Sequence, residues 1–139
     1  MSEILHSLMP RILAAVFAAA GAFCVSAHAQ VVPVFKHAAP VLPSGDDNVV
    51  RIMKIYFEPG KASGWHQHPY PIYVYVVRGN VGLEFQGQER QEFSAGQAWR
   101  EPEKLPNRVV NLSQTEPLEL VMFQVSEATK PFARRVQSE

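Results

Sequence analysis

Two histidines separated by one residue form the clearest chemical signal in this sequence, in the run Trp65-His66-Gln67-His68-Pro69. On a β-strand, residues two apart point to the same face and lie about 6.5–7 Å apart. Two neutral imidazoles placed in this way can bind one divalent transition metal ion from adjacent positions. A pair of surface or core histidines is the alternative, so the pattern predicts a metal site only together with its surroundings.

A carboxylate and an amide are further candidates for the same site. Glu101 precedes Pro102 at the end of a predicted strand. It could supply a metal ligand or act as a general acid or base, and a solvated surface position is the alternative. Gln124 interrupts the apolar run LVMFQV, so its amide faces water, finds a buried partner or belongs to a ligand pocket.

Aromatic residues surround these polar candidates in the sequence. Their rings could stack on a sugar or phenolic ring of a bound ligand, and filling of a small core is the alternative, since aromatic residues are common in strands. The residues concerned are Trp65, Tyr73, Tyr75 and Trp99.

Short β-strands are the elements that must position these side chains. After residue 29 no segment shows a sustained apolar period of 3.6 residues, and Gly or Pro turns recur every eight to twelve residues. This pattern is typical of an all-β sandwich or small barrel. Strands are predicted at 49–57, 73–78, 81–85, 90–93, 97–101, 107–112 and 118–125.

With this frame, the sequence resembles the cupin family. Its first motif is Gly, five residues, His-x-His, three or four residues, Glu, six residues and Gly. Gly60, His66, His68 and Gly79 occupy these positions, and Ile72 stands where the shorter spacing puts Glu. Tyr73 fills that place under the longer spacing.

The second cupin motif is also present in part. It runs Gly, five residues, Pro-x-Gly, two residues, His, three residues and Asn. Gly96, Pro102 and Asn111 match it, whereas Lys104 replaces the second Gly and Asn107 replaces the His. The resemblance covers roughly residues 49–125.

The resemblance implies a jelly-roll barrel with an interior site. It also implies a homodimer, because cupins often pair through sheet edges. Only two of the family's four metal ligands remain, and Asn107 is a weak third. We therefore expect a small-molecule-binding barrel with an incomplete site for a divalent transition metal ion of unknown identity. A metal-dependent isomerase, lyase or dioxygenase acting on a small polar or aromatic substrate is the alternative.

Composition bounds the class of protein. The chain has 139 residues, 13 basic and 13 acidic side chains and a net charge of zero. One domain is expected at this length, and the balanced charge argues against a nucleic-acid or anionic-membrane partner. A single cysteine, Cys24, excludes a disulfide framework and any site that needs several cysteines.

The first 29 residues are predicted to be a secretory signal peptide. Arg11 precedes an uncharged run of fourteen residues, and Ala27-His28-Ala29 follows as a cleavage site; Met9 is an alternative start. Cleavage would leave a chain without cysteine in the periplasm or the medium, with no membrane association. Beyond the leader we predict a Pro-rich arm (30–48), the barrel (49–125) and a polar tail (126–139).

Overall fold

Nine β-strands make up the regular structure of residues 30–39 and 42–137, which are the residues that the computed structural model describes. No helix occurs among them, which confirms the all-β prediction, and none of them could therefore lie in a membrane-spanning helix. The predicted signal peptide lies outside the described residues. The strands are β1 (Asn48–Phe57), β2 (His66–Gln67), β3 (Ile72–Arg78), β4 (Asn80–Phe85), β5 (Gln91–Ser94), β6 (Ala98–Glu101), β7 (Asn107–Asn111), β8 (Leu118–Glu127) and β9 (Arg134–Arg135).

The strands form two antiparallel sheets. The first has the order β1-β8-β3-β6 and the second the order β5-β4-β7-β2-β9. Each of the seven predicted strands overlaps an observed one, whereas β2 and β9 were not predicted. Both have only two residues, which is too short for the alternation of apolar and polar residues that identifies a strand.

The core lies between the two sheets because each strand turns alternate side chains inward. In β3, Ile72, Val74 and Val76 are buried and the residues between them face outward. Buried side chains from the second sheet, such as Leu83 and Val109, join the same cluster. Burial of each such side chain stabilises the fold by about 1.5–3 kcal/mol. Because the apolar residues must face inward, the alternation also fixes which polar residues of the same strands point into the interior.

The C-terminal segment takes part in the fold, whereas the sequence analysis assigned residues 126–139 to a polar tail. Ser126 lies within β8 and is fully buried. After a turn, Phe132 packs against the core, and β9 pairs with β2. This segment therefore covers the strand that contains His66.

The described part of the Pro-rich arm is extended. Phe35 contacts Tyr73 on the outer face of the first sheet, with 6.3 Å between ring centroids. His37 is exposed and stacks on Phe35. Phe35 thus packs on the outside of the first sheet, away from the interior.

Candidate metal centre

His66, His68 and Glu101 form a cluster of ligating side chains inside the barrel. One nitrogen of each imidazole and one carboxylate oxygen lie within 4.8 Å of one another. His68 and Glu101 are fully buried and His66 is half-buried. The sequence analysis left open whether Glu101 is a solvated surface residue, and its burial excludes that alternative.

Both sheets contribute to the cluster. His66 lies in β2, where its backbone pairs with Asn107 of β7 on one side and Arg135 of β9 on the other. Glu101 ends β6 in the other sheet, directly across from Ile72 of β3. The centre therefore bridges the two sheets.

Backbone carbonyl groups orient both imidazoles. Nδ1 of His66 lies 2.9 Å from the carbonyl oxygen of Gly64, and Nδ1 of His68 lies 2.7 Å from that of Phe132. A carbonyl oxygen only accepts hydrogen bonds, so each Nδ1 donates its proton. In the neutral rings Nε2 then holds a lone pair, which is the arrangement of metal-binding histidines held by a backbone carbonyl.

His68 and Glu101 meet without a hydrogen bond between them. Nε2 of His68 lies 3.1 Å from Oε2 of Glu101, yet the geometry does not fit a hydrogen bond, and neither atom has another partner among residues 30–39 and 42–137. The other oxygen, Oε1, accepts a hydrogen bond of 3.1 Å from Nε1 of Trp99. Two acceptor atoms at this separation need a proton or a cation between them.

A metal ion fits this donor set. Two ligand atoms bound at about 2.1 Å to a tetrahedral ion lie about 3.4 Å apart, so the pair of His68 and Glu101 already has a suitable separation. Two imidazoles and a carboxylate suit iron, zinc, nickel or manganese rather than calcium or magnesium. A bound cation is favoured further because it would give His68 Nε2 and Glu101 Oε2 a partner, and a buried polar atom without a partner destabilises the fold.

Two amides predicted for the site are also buried. Asn107 donates from Nδ2 to the carbonyl oxygen of Leu105, and Gln124 donates from Nε2 to that of Tyr70. The amide oxygens of both Asn107 and Gln124 lack a partner within the described part of the chain. Gln124 thus takes the buried alternative considered from the sequence.

The aromatic residues predicted to line a ligand pocket lie in three different places. Trp99 is buried, stacks on Phe93 with 4.8 Å between ring centroids, and contacts Glu101. Trp65 packs against the guanidinium group of Arg108, 5.1 Å from the ring centroid. Tyr73 and Tyr75 lie on the outer face of the first sheet, whereas Trp99 contacts the cluster through Glu101.

The strand alternation also settles the register of the first motif. Ile72 faces the interior and Tyr73 faces outward, so the family's Glu position corresponds to Ile72. Sequence reasoning did not identify the roles of Gly64 and Phe132, because a backbone carbonyl group leaves no signature in the sequence.

A sequence profile of the cupin domain matches residues 53–124, which is more than half of the chain. The chain belongs to the cupin family. No curated protein matches it. The family assignment thus rests on the profile and on the fold, and it confirms the resemblance inferred from the two motifs.

Solved structures share this cupin's fold at low sequence identity. A cupin-like protein from Thermotoga maritima has 22% identity and a TM-score of 0.55, over 64% of this chain and 65% of that one. The polyketide cyclase RemF from Streptomyces resistomycificus has 19% sequence identity and a TM-score of 0.51, over 79% of this chain and 87% of that one. Oxalate decarboxylase from Bacillus subtilis has 14% and 0.55, over 65% of this chain.

The chain spans only 65% of the Thermotoga protein and 24% of the decarboxylase. At sequence identities this low, the structural similarity shows a shared fold and nothing more.

Proposed function

We propose that this cupin binds a divalent transition metal ion through His66, His68 and Glu101 and that the metal centre receives a small molecule. The observation that supports it most directly is the approach of His68 Nε2 to Glu101 Oε2 at 3.1 Å, with no hydrogen bond between them. The sequence motifs identified two strong ligands, His66 and His68, and in this proposal Glu101 is the third.

A metal ion in such a centre supplies Lewis acidity. The residues of this chain hold the donor atoms in place: Gly64 and Phe132 fix the two imidazole rings, and Trp99 fixes the carboxylate. Three protein ligands leave positions at the ion for a bound molecule. Asn107, whose amide oxygen has no partner in the described part of the chain, is our candidate for a fourth, weak ligand.

Metal analysis of the purified chain tests the proposal. The protein is prepared without a chelator or a His-tag, and its metal content is measured by mass spectrometry. Titration with zinc, nickel, manganese and iron(II) follows. We expect about one metal ion per chain, and at least a tenfold loss of affinity in Glu101→Gln, which keeps the shape and the acceptor for Trp99.

The histidines provide a second arm of the same test. His66→Ala or His68→Ala should each remove nearly all affinity, and the double variant should lose little more, because the two residues act as one unit. Glu103→Gln and His37→Ala are matched controls, since Glu103 binds Arg100 and His37 is exposed. Equal affinity in the wild type and in the double variant would contradict the proposal.

A metal-dependent enzyme acting on a small polar or aromatic substrate is the second candidate. The third ligand favours it, because two histidines and one carboxylate are the donor set of many catalytic metal sites. Incubation of the metal-loaded protein with a panel of aromatic acids and sugars distinguishes the two. A binder raises its melting temperature without consuming the compound, whereas an enzyme yields a product that is lost in Glu101→Gln.

We also propose that the chain is exported and cleaved after Ala29, on the sequence pattern alone. The intact mass of the protein from the periplasmic fraction or the medium should correspond to a chain beginning at Gln30. Such a chain should not react with thiol reagents, because Cys24 leaves with the leader. A mass that includes the leader, in protein from the membrane fraction, would contradict this proposal.

A homodimer is our proposal for the assembly of the chain. The strand β1 lies at the edge of its sheet and has ten residues, and its outer edge has no partner within the described ranges. Three of its outward side chains are apolar and largely exposed: Val50, Ile52 and Tyr56. Long apolar edge strands pair readily with another strand, and antiparallel pairing of β1 with β1 of a second copy would cover this one symmetrically.

A further inference from the structure

A cavity of about 620 Å³ lies at the outside of the barrel, with His68 in its wall. The His68 side chain is fully buried, and neither His66 nor Glu101 lines this cavity. Its volume lies within the usual range for small-molecule sites. The cavity is therefore a second place where this chain could bind a ligand.

The wall of this cavity contains more cationic than acidic side chains. Lys104, Lys130 and Arg134 face Glu103 and Glu127, which leaves one net positive charge. An excess of cationic side chains favours an anionic ligand.

Both acidic side chains are already engaged. Glu103 accepts a hydrogen bond of 2.7 Å from Arg100, and Glu127 accepts one of 2.6 Å from the hydroxyl group of Tyr70. Lys130 lies 3.9 Å from Glu127. Within residues 30–39 and 42–137, no acidic group lies within ion-pair distance of Lys104 or Arg134.

The backbone at Lys104 is in a strained conformation. Its φ angle is +59°, a region that favours glycine and that costs a lysine free energy. The family motif has glycine at this position. Strain that persists at a position where glycine would relieve it points to a function for the side chain.

The backbones of Lys104 and Arg134, the two cations without an acidic partner among the described residues, make contacts at the cavity. The amide of Lys104 donates a hydrogen bond of 2.8 Å to the carbonyl oxygen of His68, and Arg134 lies in β9, where it pairs with Gln67. Apolar groups of Leu42 and Pro69 complete part of the wall. The cavity thus offers two positively charged side chains beside an apolar surface.

We infer that this cavity binds a small organic carboxylate, with Lys104 and Arg134 as the groups that recognise its charge. The carboxylate accepts hydrogen bonds from the guanidinium group of Arg134 and the ammonium group of Lys104. The organic part lies against Leu42 and Pro69. This site does not depend on the proposed metal ion.

Calorimetric titration of the full chain with benzoate, hexanoate and lactate tests the inference, with their neutral amides as controls. At least one acid should bind at least tenfold more tightly than its amide, and binding should weaken between 50 and 500 mM salt because both charges are exposed. Lys104→Gly and Arg134→Gln should each lower the affinity for that acid at least tenfold.

Lys104→Gly also separates function from folding. Relief of the positive φ angle should leave its melting temperature equal to or above that of the wild type, so its loss of binding cannot come from a loss of fold. Lys61→Gln is the matched control, because Lys61 is exposed and lies outside the cavity. Its affinity should equal that of the wild type.

Three outcomes would overturn the inference: no binding of any of the three acids, equal binding of acids and amides, or unchanged affinity in Lys104→Gly. Tighter binding of inorganic phosphate than of every carboxylate would overturn the choice of ligand class. Metal affinity measured on the same variants keeps the two proposals apart, since Lys104→Gly should leave it unchanged.

Discussion

Glu101 lies directly across from Ile72 on the neighbouring strand, and both side chains are fully buried. Ile72 occupies the position at which the cupin motif has its glutamate. The carboxylate of this chain therefore reaches the candidate metal centre from β6, one strand away from the glutamate position of the motif on β3. Because cross-strand Cβ atoms lie about 4.5–5.5 Å apart, a glutamate side chain can reach the same point from either position.

This relationship predicts that the two residues can be exchanged. Glu101→Ile should abolish metal binding, and Ile72→Glu alone should destabilise the metal-free protein by about 3 kcal/mol or more, since it buries a second carboxylate. The double variant should regain metal affinity to within about tenfold of the wild type. Metal titration and urea unfolding of all four proteins measure both effects.

The control for the exchange combines Glu101→Ile with Val74→Glu. Val74 is buried on the same face of β3, two residues from Ile72, which moves the carboxylate about 7 Å along the strand. This variant should not regain metal binding. Failure of the Ile72→Glu, Glu101→Ile protein to bind metal while folded would show that Ile72 does not face the centre.

Asn107→His should strengthen metal binding. Asn107 is buried and pairs with His66 across the strands, so the substitution adds a third imidazole next to the first. We expect at least a tenfold gain in zinc or nickel affinity, about 1.4 kcal/mol, measured by competition with a chelator. Arg108→His, on the same strand but against Trp65, should leave the metal affinity unchanged; an equal gain there would remove Asn107 from the site.

The ion pairs of Glu84 should make the stability of the fold depend on pH in the acid range. Although partial burial raises its pKa, hydrogen bonds from Arg108 and Arg90 outweigh burial, and the pKa is held below its ordinary value of 4.5. A carboxylate whose pKa is lowered by folding stabilises the protein above its unfolded pKa and loses that effect as pH falls through the folded value.

Glu84→Gln should therefore cost about 1–2 kcal/mol at pH 7 and much less at pH 3. Urea unfolding at both pH values measures the difference, and Glu92→Gln, an exposed neighbour, is the control. A cost that does not change with pH would mean that the charge of Glu84 is not what stabilises the fold.

The proposed dimer predicts a response at the edge strand. Ile52→Lys places a charge in the centre of β1 and should convert a dimer to a monomer, measured by light scattering after size-exclusion chromatography. Val77→Lys is the control, because Val77 is exposed on β3, away from that edge. A wild-type protein that is monomeric at 0.1 mM would contradict the proposal.

The sequence by itself determined the fold class and the two histidines. Seven strands follow from local patterns, because alternation of apolar and polar residues and the Gly and Pro turns are properties of neighbouring residues. The His-x-His spacing is local in the same sense, since a two-residue period places both rings on one face wherever the strand lies. The spacing of the motifs also assigned Ile72 to the glutamate position and Asn107 to the position of the third histidine.

The tertiary structure alone decided where Glu101 and the aromatic residues lie. Glu101 looks from the sequence like any glutamate before a proline, and its buried position beside His68 follows only from the pairing of β6 with β3 opposite Ile72. Likewise Tyr73, one residue from the interior Ile72, faces outward. The contact of His68 with Phe132, 64 residues apart, depends on the return of the C-terminal segment to β2. Such contacts between distant residues are set by the pairing of strands and by closure of the core, which no local pattern encodes.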